Sequence, residues 1–147
     1  MPRPLYEHHQ LSKLRALGIL YLFAIVVVLM LFGSEMAVVG IVSTLIGGGA
    51  VAMVTLSFSR LAVIVDSDEV RLTFGFGFPR KRIPRAHIVS HGTVRNSWLL
   101  GWGIRWIKGG RMWNVWGLDA VELVLADGKK FRIGTDEPET LNAALET

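Results

Sequence analysis

Five tryptophans, Trp98, Trp102, Trp106, Trp113 and Trp116, share a short stretch with Arg105, Lys108 and Arg111. Aromatic rings interleaved with cations on an open face can stack nucleobases. Beside a bilayer the same residues act as interfacial anchors, because an indole is apolar with one polar end. Inside a small β-domain they are core. A second cluster, "FPRKRIPR", gathers Arg80, Lys81, Arg82 and Arg85. Each such cation gains about 1 kcal/mol near an anionic leaflet, or simply guards an exposed strand edge against pairing. His87 and His91 would share one face of a helix, but no third metal ligand accompanies them, and their segment reads as strand or loop. Asp119 and Glu122 form a carboxylate pair with no nucleophile nearby. The glycines of "GWGIRW" sit within a strand pattern, not ahead of a helix, so they do not make a phosphate loop. The chain has no cysteine, which removes disulfides, thiolate metal sites and cysteine nucleophiles. No catalytic residue, metal or cofactor is assigned, and a non-enzyme is expected.

The elements that position these residues divide the 147-residue chain in two. Residues 16–32 carry no charge and no strong helix breaker, and residues 36–58 are a second uncharged run. About 20 apolar residues cross a hydrocarbon core, and only helices or closed barrels do so, because unpaired backbone is costly in lipid. The two runs are expected to form a transmembrane hairpin. A buried helical pair is disfavoured because so small a domain has too little polar surface to cover it. A cleaved signal peptide is disfavoured because no small-residue cleavage site follows the first run. Arg3, Lys13 and Arg15 precede the hairpin, Arg60 and the basic cluster follow it, and the turn holds only Glu35. The positive-inside rule then puts both termini in the cytoplasm, with residues 1–15 as a short cytoplasmic segment. The net charge of +4 suits an anionic surface. Gly40, Ser43, Gly47 and Gly48 place small residues at helical spacing on the second span, for packing against the first helix or for oligomerisation.

From residue 60 to residue 147 the periodicity changes to two. "RLAVIVDSDEVRLTF" reads as a hairpin, "RKRIP" as a short basic strand and "HIVSHGTVR" as a further strand. Trp98, Leu100, Trp102, Ile104 and Trp106 alternate, as if on one face of a single strand, so core packing is expected for Trp98, Trp102 and Trp106. "KGGR" supplies a tight turn and "MWNVW" a returning strand, on which Trp113 and Trp116 fall on opposite faces, so one of them is left to serve as an interfacial anchor. "AVELVL" and "KFRIG" flank an Asp127-Gly128 turn. Residues from Pro138 onward read as an amphipathic helix with Leu141, Ala144 and Leu145 inward, capped by Thr135 or Asp136, with Asp136 and Glu139 at capping-box spacing.

That order, with "GWGIRW", "WNVWGLDAVELVLADGKKFRIGTDEPETL" and a membrane hairpin upstream, resembles bacterial pleckstrin-homology-like (PH-like) domain proteins. The resemblance implies a mainly β PH-like barrel capped by a C-terminal α-helix and suspended from a two-helix transmembrane hairpin, in the inner membrane of a bacterium. It also implies binding or oligomeric assembly instead of chemistry. It does not carry over phosphoinositide recognition, since "DSDE" is acidic where the headgroup motif of eukaryotic PH domains is basic. The expected partners are membrane lipids through Arg80, Lys81, Arg82 and Arg85, and a protein or a second copy through Arg105, Lys108, Arg111 and Trp113. Nucleic acid is not expected. The alternative is a small accessory subunit held in a larger membrane complex through the glycine-rich second helix.

Overall fold

The computed structural model describes residues 4–34 and 38–147. Arg3, Glu35 and Met36, which supply flanking charge and the start of the second apolar run, lie outside the described residues. Helices α1 (Leu14–Phe32) and α2 (Val38–Ser57) have 19 and 20 residues, each about 30 Å long at 1.5 Å per residue. Both are long and apolar enough to cross a membrane. Only 6% and 11% of the two apolar spans is buried, unlike the helices of a soluble core. They run antiparallel: Gly18 lies against Thr55, and Gly48 against Ile25 and Tyr21. A methyl group at Gly48 would overlap the end of Ile25. Of the four residues expected to pack helices, Gly48 therefore lies in the seam. Gly47 and Ser43 face outward, and Gly40 is half-buried and accepts a hydrogen bond from the Thr44 hydroxyl at 2.8 Å.

The β-domain contains two sheets. In the first, β1 (Tyr6–Leu11), β2 (Arg60–Val65), β3 (Glu69–Phe74) and β4 (Arg80–Pro84) follow one another in antiparallel order. Strand β1 precedes α1 and pairs with the strand that follows α2, from Tyr6↔Val65 to Leu11↔Arg60. Within the segment expected for residues 1–15, Tyr6–Leu11 thus form a strand of the β-domain. Both ends of the helical hairpin grow out of neighbouring strands. "YEHHQL" escapes periodicity because its inward positions include His8 and Gln10. The structure engages both: Gln10 donates to the Trp116 carbonyl at 3.0 Å, and the His8 ring meets Asp136 at 2.7 Å.

The second sheet has the order β5 (Ile88–Arg95), β8 (Asp119–Leu125), β9 (Lys130–Gly134), β7 (Gly110–Asn114), β6 (Gly103–Ile107). Its β7–β9 pairing is parallel, and Gly110 permits it, since a side chain there would collide with the Lys130 carbonyl. Among the described residues the strands do not close into one barrel. The two sheets instead face each other across one core: Leu61, Val65, Val70, Leu72 and Phe74 meet Trp113, Val121, Leu123, Phe131 and Ile133. Phe74 and Trp113 touch at 5.1 Å between ring centroids, Trp113 and Phe131 at 5.9 Å. Each large apolar side chain so buried contributes about 1.5–3 kcal/mol.

Helix α3 (Pro138–Glu146) lays Leu141 and Leu145 onto this core. Thr135 accepts from the Glu137 amide at 3.1 Å, one step ahead of the helix. Asp136 is held by His8, and the cap position Glu137 makes no side-chain cap bond, so the capping box is not formed. Gly110→Ala is predicted to cost on the order of 3 kcal/mol through backbone overlap, seen as a lower thermal midpoint of the detergent-solubilised protein. Gly92→Ala, with nothing within 4 Å of the new methyl group, is predicted to leave it unchanged.

Candidate functional site

Strand register places a group of exposed side chains at the helix end of the first sheet. Leu11↔Arg60, Leu61↔Phe74 and Thr73↔Arg80 are the pairs nearest α1 and α2. The β3–β4 loop "GFGFP" turns at that same end. The Gly75 amide donates to the Arg60 carbonyl at 2.9 Å, and Gly75 approaches the Ser57 carbonyl too closely to carry a side chain. Phe76 and Phe78 project from this loop 74% and 77% exposed. Periodicity missed them because they belong to neither strand. The legible signal was composition: two large apolar residues between glycines, in a turn followed directly by cations.

The basic cluster is not one face. Arg80 is exposed beside the Phe78 loop. Lys81 bends over the Phe131 ring at 5.3 Å, and Arg82 is exposed 3.8 Å from Glu69. Arg85 lies beyond the opposite end of β4 and serves the fold. Its guanidinium donates to the Leu145 carbonyl at 2.8 Å, the Ala144 carbonyl at 3.4 Å and the Asp66 carbonyl at 3.2 Å, tying down the C-terminus of α3. Arg85, expected to touch lipid, is half-buried and makes these ties within the domain.

The tryptophans also depart from the expected single strand. Trp98–Leu100 form a 3₁₀ turn, Gly101 has φ of 63°, and β6 begins only at Gly103. Trp98 and Trp106 are 76% and 74% exposed, so neither is core. Register explains Trp106. Ile104 pairs with the buried Trp113, and Trp106 shares that face, but β6 is the sheet edge and Trp106 stays uncovered there. Trp102 stacks on Trp116 at 4.8 Å, and the Lys13 ammonium lies 5.9 Å from the Trp116 ring. A groove of about 590 Å³ separates Trp102 and Ile104 from Val54 and Phe58 of the α2 end. Of the residues expected to meet a partner, Arg105, Lys108 and Arg111 are exposed. Arg111 sits over the Trp106 ring at 4.2 Å, and Arg105 donates to the Trp102 carbonyl at 2.9 Å. Trp113 is inside, between Phe74 and Phe131, and offers no surface.

Elsewhere the titratable groups serve structure. Glu122 accepts from Lys130 at 2.8 Å and Arg132 at 2.7 Å, and Arg132 also reaches Asn96 at 3.0 Å. Burial alone would raise the Glu122 carboxyl, but the two cations outweigh it and hold it below the ordinary glutamate range. Burial pushes the Tyr6 phenol up to about 12. Asp119 is 3.5 Å from Arg95, and the His91 ring meets Asn142 at 2.9 Å. Among the described residues no group of metal-ligating side chains assembles. Two surfaces are left with chemistry to offer: the Phe76–Phe78 loop with its cations, and the Trp98–Trp106 segment beside the end of α2. No model of a known protein family matches the chain, and no curated protein matches it either.

Trp98 and Trp102 are predicted to lie at lipid headgroup depth. In bilayers carrying bromine near the headgroup, tryptophan fluorescence should fall, and Trp98→Phe with Trp102→Phe should abolish most of that quenching. Trp113→Phe should leave the quenching intact. Quenching that survives the double substitution would place these indoles away from lipid.

Proposed function

We propose that this chain is a membrane-anchored PH-like binding or scaffolding module of the bacterial inner membrane, not an enzyme. It recognises lipid headgroups or a protein partner at the cytoplasmic face. What carries the reading is one observation: three exposed large aromatics of the β-domain, Phe76, Phe78 and Trp102, lie where the two apolar helices leave it. Arg80, Arg105 and Lys13 accompany them, and the exposed Trp98 sits just ahead of Trp102 in the same segment. Aromatics mixed with cations favour the boundary between hydrocarbon and water, and an aqueous surface that apolar would otherwise be a liability. Supporting the PH-like assignment are the two facing sheets and the C-terminal helix packed onto their shared core. The sandwich is open, so the assignment is to an open relative of the barrel. Binding is favoured over catalysis because Glu122, Asp119, His91 and His8 are each engaged in ties that hold the fold.

A second reading, an accessory subunit held through α2, draws on Gly47 and Gly49. Both are exposed with nothing within 4 Å of where a side chain would start, leaving a flat outer face on the helix. Photo-crosslinking residues placed at Phe78, Trp98, Trp106 and Gly47 in living cells separate the two. Adducts to lipid or protein at Phe78, Trp98 and Trp106 are expected. Protein adducts confined to Gly47 would transfer the function to the helix, and no adduct at any position would overturn both readings.

A further inference from the structure

The base of the helical hairpin holds a cleft of about 500 Å³ that adjoins the Phe76–Phe78 loop and brings in residues not yet considered. Its polar lining includes His9 near the end of β1, Arg15 in the first turn of α1 and Arg60 at the start of β2; its apolar lining is Leu11, Leu56 and Phe76. Both arginines are exposed, and among the described residues neither has a carboxylate within ion-pairing distance. At the opposite end of the sheet the arginines are engaged: Arg71 is paired with Asp66, and Arg82 lies near Glu69.

We infer that this cleft binds the phosphate of an anionic glycerophospholipid between Arg15 and Arg60. The inference rests on the membrane anchoring proposed above and names the ligand that one part of that surface takes. Guanidinium groups present planar pairs of N–H donors that match phosphate oxygens, a geometry an ammonium lacks. Two of them with no acid partner leave a local positive charge that an anion neutralises. The walls decide the kind of anion. Leu11, Leu56 and Phe76 give a free phosphate nothing to bind, but they suit the glycerol and first methylenes of a lipid. Position agrees with chemistry: the cleft opens beside the last turn of α2, where an apolar span ends and headgroups begin. Strand pairing fixes it there, since Leu11↔Arg60 is the β1–β2 pair nearest the helices.

The test uses the full chain in mild detergent, with bound lipid counted by native mass spectrometry. Phosphatidylglycerol, phosphatidylcholine and inorganic phosphate are the probes. Wild-type protein is expected to retain phosphatidylglycerol about tenfold more than phosphatidylcholine, and Arg15→Gln or Arg60→Gln to lose most of that preference. Lys129→Gln, far from the cleft, should retain it. Phe76→Ser removes an apolar wall on an exposed loop without touching either cation, so it is expected to fold and to weaken retention several-fold, even if an arginine variant does not fold. Equal retention by wild type and all three cleft variants would overturn the inference. So would displacement of the lipid by millimolar phosphate, which would make this a site for free anions. Photo-adducts at Phe78 and Trp98 alongside unchanged retention would preserve the proposed membrane surface while removing the cleft from it. Loss of retention without those adducts would do the reverse.

Discussion

The pairing of β1 with β2 is the constraint on which the rest of the molecule depends. These strands lie on either side of the helical hairpin, yet six consecutive residues of each stand in register. Adjacent strands are about 4.8 Å apart, so the two helices start and finish side by side. Antiparallel packing follows, and the small side of α2 meets α1 at Gly48 while Gly18 admits Thr55. The pairing also forces both ends of the hairpin onto one side of any membrane the helices cross, whatever the charges around them. A domain hung from a single flexible segment would have no fixed face toward lipid. Two strands continuous with two helices give it one.

That fixed face explains where exposed apolar surface is tolerated. The inward positions of β1–β3 bury a shared core with the second sheet, and polar residues occupy most outward positions. Exceptions concentrate near the helices, in the β3–β4 loop and around Trp98–Trp106. Cations accompany them in each place: Arg80 by Phe78, Lys13 by Trp116, Arg15 and Arg60 around Phe76. Moved away from the junction, the same aromatics would be an aggregation hazard. Arg85 shows the contrast, since a cation at the far end of β4 is used to hold the carbonyls of α3.

Much of this was legible in the chain. Apolar length gave both helices, and alternation gave the β2–β3 and β8–β9 hairpins with their turns. The two-residue Lys108-Gly109 connection between β6 and β7 was readable from the glycines. What periodicity could not show was anything set by contacts distant in sequence. Strand β1 carries half-buried His8 and buried Gln10, whose partners Asp136 and Trp116 lie more than a hundred residues away. The parity of Trp102, Ile104 and Trp106 suggested a core strand, but β6 is an edge strand and these side chains remain exposed. The cleft at the hairpin base combines Arg15, Arg60 and Phe76, three residues that strand pairing brings together.

Cross-strand disulfide formation tests the pairing directly in a chain with no native cysteine. Glu7 and Ile64 are in-register partners on the outward face of β1 and β2. In native membranes, Glu7→Cys with Ile64→Cys should link rapidly under mild oxidation, while the register-shifted pair Glu7→Cys with Ala62→Cys should link slowly or not at all. No bond in the matched pair, or equal bonding in both, would contradict the account, because the β-domain would then not be closed across the hairpin.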